Sequence, residues 1–331
     1  MKGLARGFAR AFAPMACALL VGAAGMATAQ TYPAKPVRIV VPFPPGGPTD
    51  VFARQYATRM SAVLNQSVVV DNKSGAGGAI GAVEVKRADP DGYTLLFGSA
   101  SNLGLYNLMS TAPLYDAVKD FVHVASLGGA PTVFAVHPAM PQTLKGVVEM
   151  AKAKPGTLQY GSPGQGTYLH IAMERLKKEA GNIDIQHIPF RGSSQTLTSV
   201  LGGQVNMSVE TLGTVLASHR SGGLRIVAVA SPKRSPLAPE VPTVDEALGT
   251  KGFEAVLWNV VAAPVGTPPA VVDTLAKATA KVLGDATLIE QLAKLGIQPT
   301  AESSPAAATA YIRAEIEKWR PVVEATGIKI Q

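Results

Sequence analysis

The segment VRIVVPFPPGGPTDVFARQYATRMSAVL, residues 37–64, decides the fold class. It begins with a β-branched run, passes through a turn rich in proline and glycine, and continues with Phe52, Tyr56 and Met60 at helical spacing. A β-branched run indicates a strand, and apolar residues three to four apart indicate an amphipathic helix. The segment therefore predicts one strand–turn–helix unit, with the strand at 37–41 and the helix at 50–64.

The same order of strand, turn and helix recurs along the chain. Further strands are predicted at 68–70, 93–97, 158–161, 185–189 and 205–209, and most of them lead through glycine-rich turns into helices. Such alternation is typical of parallel sheets in α/β proteins. Two apolar segments, 122–136 and 224–230, are expected to cross between lobes, because no low-complexity linker divides the chain.

The predicted fold is α/β with two lobes, each a mostly parallel sheet flanked by helices. We expect lobe I, which is discontinuous, to comprise residues 30–125 and 229–331, and lobe II residues 126–228.

The glycine-rich turns are candidate anion-binding elements. In open parallel sheets, ligands bind beyond the carboxyl ends of the strands, where these turns lie. Glycine exposes backbone N–H groups, and the amino end of the following helix favours negative charge. A single turn of this kind is better explained as a tight connection between strand and helix. Four of them in one chain favour a site for a small anion.

The first 29 residues have the pattern of a secretory signal peptide. Lys2, Arg6 and Arg10 precede an apolar stretch, and small residues around Ala29 form a cleavage pattern. We expect cleavage after Ala29 and a periplasmic mature protein without its single cysteine, Cys17. Removal of the three cations lowers the formal charge from +7 to +4, which is too small an excess to indicate nucleic-acid binding.

Motifs for other chemistry are absent from the sequence. The glycines at 75, 77 and 81 do not have dinucleotide-binding spacing, and the histidines at 123, 137, 170, 187 and 219 lack metal-ligand spacing. Ser162 has Tyr160 where a nucleophile elbow requires glycine. We therefore predict no catalytic residue, cofactor or metal. Arg191 and Lys73 lie beside glycine turns, where either an anion contact or an ordinary solvated charge is expected.

Several motifs together resemble one family, the Bug receptors, which are the periplasmic receptors of tripartite tricarboxylate transporters. The motifs are YPAKP at 32–36, VVPFPPGGPTD at 40–50, NKSGAGG at 72–78, PDGYTLL at 90–96, HIPFRGS at 187–193, LGGQV at 201–205, RSP at 234–236, VPTV at 241–244 and APVGTP at 263–268. They extend across essentially the whole chain after the signal peptide.

The resemblance implies a type II periplasmic-binding-protein fold whose lobes close by a hinge on an organic acid. It implies a monomer that delivers a small carboxylate to membrane transporter subunits. A co-receptor for a membrane sensor is the alternative, and an enzyme on the same scaffold is a third possibility. Sensing and transport would share the same ligand binding, whereas an enzyme would convert the ligand.

The family's mode of binding, by backbone N–H groups and hydroxyls, implies the site residues in this sequence. From lobe I they are Phe43, Gly47, Thr49, Asp50, Ala76, Gly77, Gly78, Ser99 and Ser101; from lobe II they are Ser162, Gly164, Gly166, Thr167, His170, Phe190, Gly192, Glu210 and Thr211. Ser74 replaces a usual proline, and Glu210-Thr211 replaces a frequent aspartate and asparagine. We expect a carboxylate at 210 to repel a second carboxylate on the ligand, so that it tunes selectivity.

Overall fold

The computed structural model describes residues 32–300 and 303–330, so the predicted signal peptide lies outside the described residues. The described strands are β1 Val37–Val41, β2 Val68–Asn72, β3 Thr94–Ser99, β4 Phe121–Val136, β5 Leu158–Ser162, β6 Ile185–Pro189, β7 Met207–Thr211, β8 Arg225–Val229, β9 Val256–Pro264 and β10 Gln298–Pro299. The helices are α1 Pro48–Leu64, α2 Ala79–Lys86, α3 Tyr106–Met109, α4 Leu144–Ala153, α5 Tyr168–Glu179, α6 Ser193–Leu201, α7 Leu212–Arg220, α8 Val244–Leu248, α9 Pro269–Leu283, α10 Ala286–Lys294 and α11 Pro305–Thr326. A 3-10 turn covers Ala76–Gly78, and a π-helical turn covers Ala100–Leu105.

Two groups of parallel strands carry the glycine turns. Strand β1 pairs in parallel with β2 and β3, and β5 pairs in parallel with β6 and β7. Between these groups lie β9 and β4, which pair antiparallel with their neighbours, in the order β2-β1-β3-β9-β4-β7-β5-β6. The α/β fold class is confirmed. Every antiparallel pair involves β4 or β9. A local sequence pattern does not specify the direction of a strand relative to strands that are distant in the chain.

Strand β4 runs through both strand groups. Residues 121–131 pair with β9, and residues 132–136 pair with β7 and β8. The two halves of β4 thus pair with different strands, and β4 connects the two strand groups. The proposed lobe boundaries, 30–125 with 229–331 and 126–228, stay a prediction. Helix α11 contacts β4 and also α5, where Trp319 packs edge-on against Tyr168 at 4.8 Å between ring centroids.

Apolar packing fixes the directions in which the turns point. Phe52 of α1 is buried and packs edge-on against Phe97 of β3, with ring centroids 5.4 Å apart. Full burial of one such side chain contributes about 1.5–3 kcal/mol, and the aromatic geometry about 0.5–1.5 kcal/mol more. This contact holds the amino end of α1 at the carboxyl end of the strands, next to the turns that follow β2 and β3.

Candidate functional site

The first turn, between β1 and α1, is held by the buried carboxylate of Asp50. It accepts hydrogen bonds from the backbone N–H of Gly46 at 2.9 Å, Nε of Arg54 at 3.0 Å and Nδ2 of Asn72 at 2.8 Å. Burial works to raise the pKa of Asp50, but the bonds from Arg54, Gly46 and Asn72 outweigh it and the pKa is lowered. Asp50 is therefore an ionised anchor for the turn, with its oxygens already engaged by the protein.

The second turn, between β2 and α2, has a backbone that favours glycine. The φ angles of Gly75, Ala76, Gly77 and Gly78 are 137°, 47°, 62° and 98°. Ala76 is one of the few described residues other than glycine with positive φ, a conformation that costs roughly 1–2 kcal/mol. A Cβ at Gly77 would lie 3.4 Å from the carbonyl oxygen of Gly166. The turn therefore faces the turn that follows β5.

The turn after β3 links the two strand groups directly. The side chain of Ser99 caps the π-helical turn, accepting from the N–H of Ser101 at 3.3 Å. The hydroxyl oxygen of Ser101 in turn accepts from the backbone N–H of Tyr168, the first residue of α5, at 2.9 Å. Ser101 thus joins the turn after β3 to helix α5. A hydroxyl engaged in this way still has its own hydrogen to donate.

The turn after β5 is built on two neutral histidines. His170 Nδ1 accepts from the N–H of Gly166 at 3.1 Å, and the rings of His170 and His187 stack 3.9 Å apart. Burial, with further lowering by His187 and Lys177, brings the pKa of His170 to about 3. Burial likewise lowers the pKa of His187 to about 4, and His187 Nε2 lies 2.7 Å from Ser162 Oγ. Both rings are uncharged at neutral pH and hold the turn.

The turn after β6 leads to a buried glutamate. Gly192 has φ 102° and donates its N–H to the carbonyl of Pro163 at 3.1 Å. Oγ of Ser193, at the start of α6, lies 2.8 Å from Oε2 of Glu210, within hydrogen-bond distance. Burial raises the pKa of Glu210 to about 8, so it is neutral at pH 7. The expected repulsion between a Glu210 carboxylate and the ligand therefore does not apply at neutral pH.

A cavity of about 80 Å³ lies where the turns after β1, β3, β5 and β6 meet. Of the predicted site residues, it is lined by Phe43, Gly47, Thr49, Ser99, Ser101, Thr167 and Gly192. The predicted residues outside this lining are Asp50, Ala76, Gly77, Gly78, Ser162, Gly164, Gly166, His170, Phe190, Glu210 and Thr211. Many in the second group hold the turns through the bonds described above. Thr211 lines a second cavity of about 220 Å³, which shares Pro48 and Ser194 with the first.

The cavity also contains residues outside the predicted set. These are Pro44, Pro45, Pro48, Pro163, Leu169, Arg191, Ser193, Ser194 and Leu257. Ser193 and Ser194 follow directly after the Gly192 turn, and their position in the first turn of a helix was a usable signal. Leu257 lies on β9, far from any turn motif, and only the tertiary structure brings it to the cavity.

The electrostatics of the cavity favour an anion. Arg191 is the sole charged side chain among the described lining residues, and its guanidinium has no ion-pair partner in the described part of the chain. Lys73, the other cation considered above, is instead paired with Asp71 at 3.5 Å and does not line the cavity. The amino ends of α1, α5 and α6 contribute Gly47, Thr167 and Gly192, and helix amino ends attract negative charge.

A metal centre finds no support in residues 32–300 and 303–330, where no cluster of three or more histidine, cysteine, aspartate or glutamate side chains could hold an ion. Within the same ranges, no helix has the length and apolar character needed to cross a membrane.

Comparison with known proteins places the chain in a family. Residues 52–328 match the model described as the tripartite tricarboxylate transporter family receptor. The chain belongs to this receptor family. The protein BugT of Bordetella pertussis is 37% identical over 314 residues, covering 94% of this chain and 95% of BugT.

Two solved structures that are similar to this chain contain a bound organic acid. An R. palustris protein solved with adipate has a TM-score of 0.85 and 32% identity, covering 90% of this chain and 99% of that protein. MatC from Rhodopseudomonas palustris, solved with bound malate, has a TM-score of 0.83 and 29% identity, covering 88% and 100%. The chain is thus a periplasmic solute-binding protein of the receptor family, with the corresponding α/β fold.

Proposed function

We propose that this receptor captures a small organic carboxylate in the 80 Å³ cavity and delivers it to the membrane subunits of a tripartite tricarboxylate-type transporter. The observation that supports a carboxylate is the charge of the cavity. Arg191 is its one charged lining residue among those described, and the hydroxyls of Thr49, Ser99 and Ser101 accompany it. Hydroxyls and helix amino ends can donate to both oxygens of a carboxylate.

The dimensions of the two cavities suggest how an acid would be accommodated. A water molecule needs roughly 10–15 Å³ of such space, so the first cavity has room for roughly five to eight non-hydrogen atoms. That is the size of a carboxylate with a short stem. The adjoining cavity, about 220 Å³ and lined in part by Val51, Leu197 and Ile297, has room for the rest of a longer acid. The ligands of the two solved relatives, adipate and malate, are both dicarboxylates.

The proposal includes export, a monomeric receptor and hinge closure. Residues 1–29 serve as the signal peptide, and the mature protein acts in the periplasm without turning its ligand over. The contact between Ser101 and the N–H of Tyr168 supports closure, because it joins residues of the two proposed lobes. Uptake of a labelled acid by cells lacking the receptor gene, restored by the cloned gene, tests the transporter partner against the sensor alternative.

The ligand class is tested by thermal shift against malate, adipate, aspartate and benzoate, with succinamide as the uncharged control. A ligand at 100 times its dissociation constant stabilises the folded state by about 2.7 kcal/mol. We expect at least one acid, but not succinamide, to give such a shift. Failure of a wider panel of organic acids to stabilise the folded protein would contradict the proposal.

The contribution of Arg191 is tested by Arg191→Gln, with Lys73→Gln as the matched control. Both cations lie beside glycine turns, but only Arg191 lines the cavity. A hydrogen bond to a charged group contributes about 1.5–3 kcal/mol, and the exposure of Arg191 places it at or below the lower end. We expect Arg191→Gln to weaken binding by about tenfold and Lys73→Gln to leave it unchanged. Equal effects of the two variants would refute a specific role for Arg191.

A further inference from the structure

Glu210 reaches the cavity through one intermediate residue. Its side chain is fully buried at the carboxyl end of β7, and Oε2 lies 2.8 Å from Oγ of Ser193. Ser193 lines the cavity, whereas Glu210 does not. Any influence of Glu210 on a bound acid at short range therefore passes through the hydroxyl of Ser193.

The direction of the hydrogen bond between them depends on the protonation of Glu210. A serine hydroxyl has one hydrogen to donate. An ionised Glu210 can only accept, so Ser193 would donate to it and turn lone pairs toward the cavity. A protonated Glu210 can donate to Ser193, which releases the serine hydrogen for a carboxylate in the cavity.

Among residues 32–300 and 303–330, no cation, including the exposed Arg191 of the cavity, contributes to the pKa of Glu210 by holding it ionised. Oε1 has no hydrogen-bond partner of good geometry among the described atoms, although the Thr196 hydroxyl and the N–H of Thr211 lie near enough to lower the pKa somewhat. Burial outweighs these groups, and the pKa is raised to about 8.

The ionisable side chains of the neighbouring elements are engaged elsewhere or lie at distant ends. Helix α6 carries none. Tyr160 of β5 donates its hydroxyl hydrogen to Glu174, and Tyr168 of α5 packs against Trp319. Val133 of β4 pairs with Glu210 on one side and with Val229 of β8 on the other. Arg225 lies at the opposite end of β8 from Val229, and therefore away from Glu210. The others are bonded as follows: His123 of β4 to Ala117 and Thr309, His170 of α5 to Gly166, Glu174 to Lys177, Arg175 to Glu179, Lys178 to Ala325, His219 of α7 to Glu240 and Arg220 to Leu237.

We propose that Glu210 and Ser193 form a proton-dependent relay, in which protonated Glu210 donates to Ser193 and Ser193 donates to the carboxylate of the bound acid. The relay rests on the carboxylate-binding function proposed above and assigns Glu210 as a positioning residue. When Glu210 starts ionised, binding takes up one proton from solvent onto its carboxylate. Affinity for the acid is then highest when Glu210 is protonated and falls as pH rises through its pKa.

The test is calorimetric titration of malate and of adipate from pH 6 to pH 9.5. With a pKa of about 8, the parent should bind about tenfold more weakly at pH 9 than at pH 7. Glu210→Gln should bind equally well across this range, because its amide N–H₂ remains a donor to Ser193 at every pH. Ser193→Ala should be weaker at pH 7 and show no pH dependence from Glu210.

The matched control is Glu315→Gln, which replaces another buried glutamate that lies outside the 80 Å³ cavity and bonds Trp258. Its pH profile should follow that of the parent. A parent that binds at pH 7 but shows a flat profile to pH 9.5 would refute the relay while leaving the carboxylate function intact. A folded Glu210→Gln that loses binding at pH 7 would refute it as well.

A second measurement needs no ligand and therefore separates the relay from the proposed function. Carbon-13 NMR of protein labelled at glutamate carboxyl carbons should show one signal titrating near pH 8, absent from Glu210→Gln. If both acids fail to bind, the carboxylate function is in question, and this signal alone decides whether Glu210 is protonated at pH 7. Titration of Glu210 in the ordinary range for glutamate would overturn the relay.

Discussion

The contact between two glycine turns makes Gly77→Val a test of cleft closure. Gly77 has φ 62°, where a residue with a Cβ is strained by roughly 1–2 kcal/mol. Its Cβ would lie 3.4 Å from the carbonyl oxygen of Gly166, and the two γ-carbons of valine extend further. The variant therefore suffers backbone strain in every folded conformation and a steric clash only when the turns approach one another.

The backbone strain lowers the free energy of unfolding, whereas the clash between the turns weakens ligand binding. We expect the free energy of unfolding to fall by roughly 1–2 kcal/mol. If the lobes cannot close, the ligand loses the donors of one lobe, each hydrogen bond to a charged group being worth about 1.5–3 kcal/mol. Loss of two such bonds is at least about 3 kcal/mol, or more than about a hundredfold in the dissociation constant.

The matched control is Gly222→Val, since Gly222 has φ 78° and nothing within 4 Å of an added Cβ. Urea unfolding should give similar losses for the two variants, and calorimetry with malate or adipate should show weakened binding for Gly77→Val alone. Gly166→Val tests the opposite turn, at an added stability cost because its Cβ would meet Ile330 at 3.0 Å. If Gly77→Val binds as tightly as Gly222→Val, the second turn is only a connector and the reasoning is wrong.

Four further outcomes are expected. Glu210→Gln should become more stable relative to the parent as pH rises from 4.5 to 8, by up to about 5 kcal/mol in urea unfolding, because the folded parent stays protonated while the unfolded chain ionises; a constant difference would contradict the raised pKa. Asp50→Asn should destabilise by about 1–3 kcal/mol at pH 7, with the difference shrinking as pH falls through the lowered folded pKa; equal stability would show that the turn does not need the charge. Ser101→Ala leaves the buried N–H of Tyr168 without its acceptor and should cost about 1–3 kcal/mol in thermal unfolding, whereas an unchanged melting curve would show that water replaces the hydroxyl. N-terminal sequencing and intact mass of the exported protein should show Gln30 as the first residue, and a retained segment 1–29 would contradict the signal peptide.

The strand and helix pattern was predictable because it is local. The strand predicted at 37–41 is Val37–Val41, and the helix predicted at 50–64 is Pro48–Leu64. The apolar segment predicted at 122–136 is β4, Phe121–Val136. Side-chain periodicity and turn residues act over a few positions, so the sequence expresses them directly. Of the turns within the family motifs, those after β1 and β6 line the cavity, whereas the turn after β2 does not.

Only the tertiary structure shows which residues of those turns line the cavity and which hold the backbone of the turn. Asp50 and His170 lie in the right turns, yet both are buried and bonded to the backbone of the turn. Leu257 lines the cavity although no motif surrounds it. The direction of each side chain depends on packing against residues far along the chain.

The sequence alone determined the succession of strand–turn–helix units, the candidate turns of the site and, through its motifs, the family, but it did not predict β9. The tertiary structure decided the pairing of β4 and β9, the isolation of Arg191 at the cavity and the burial of Glu210 behind Ser193. The physical reason is the sequence distance over which each effect acts. Propensity and periodicity are properties of neighbouring residues, whereas burial, and the pKa that follows from it, is set by groups that only folding brings together.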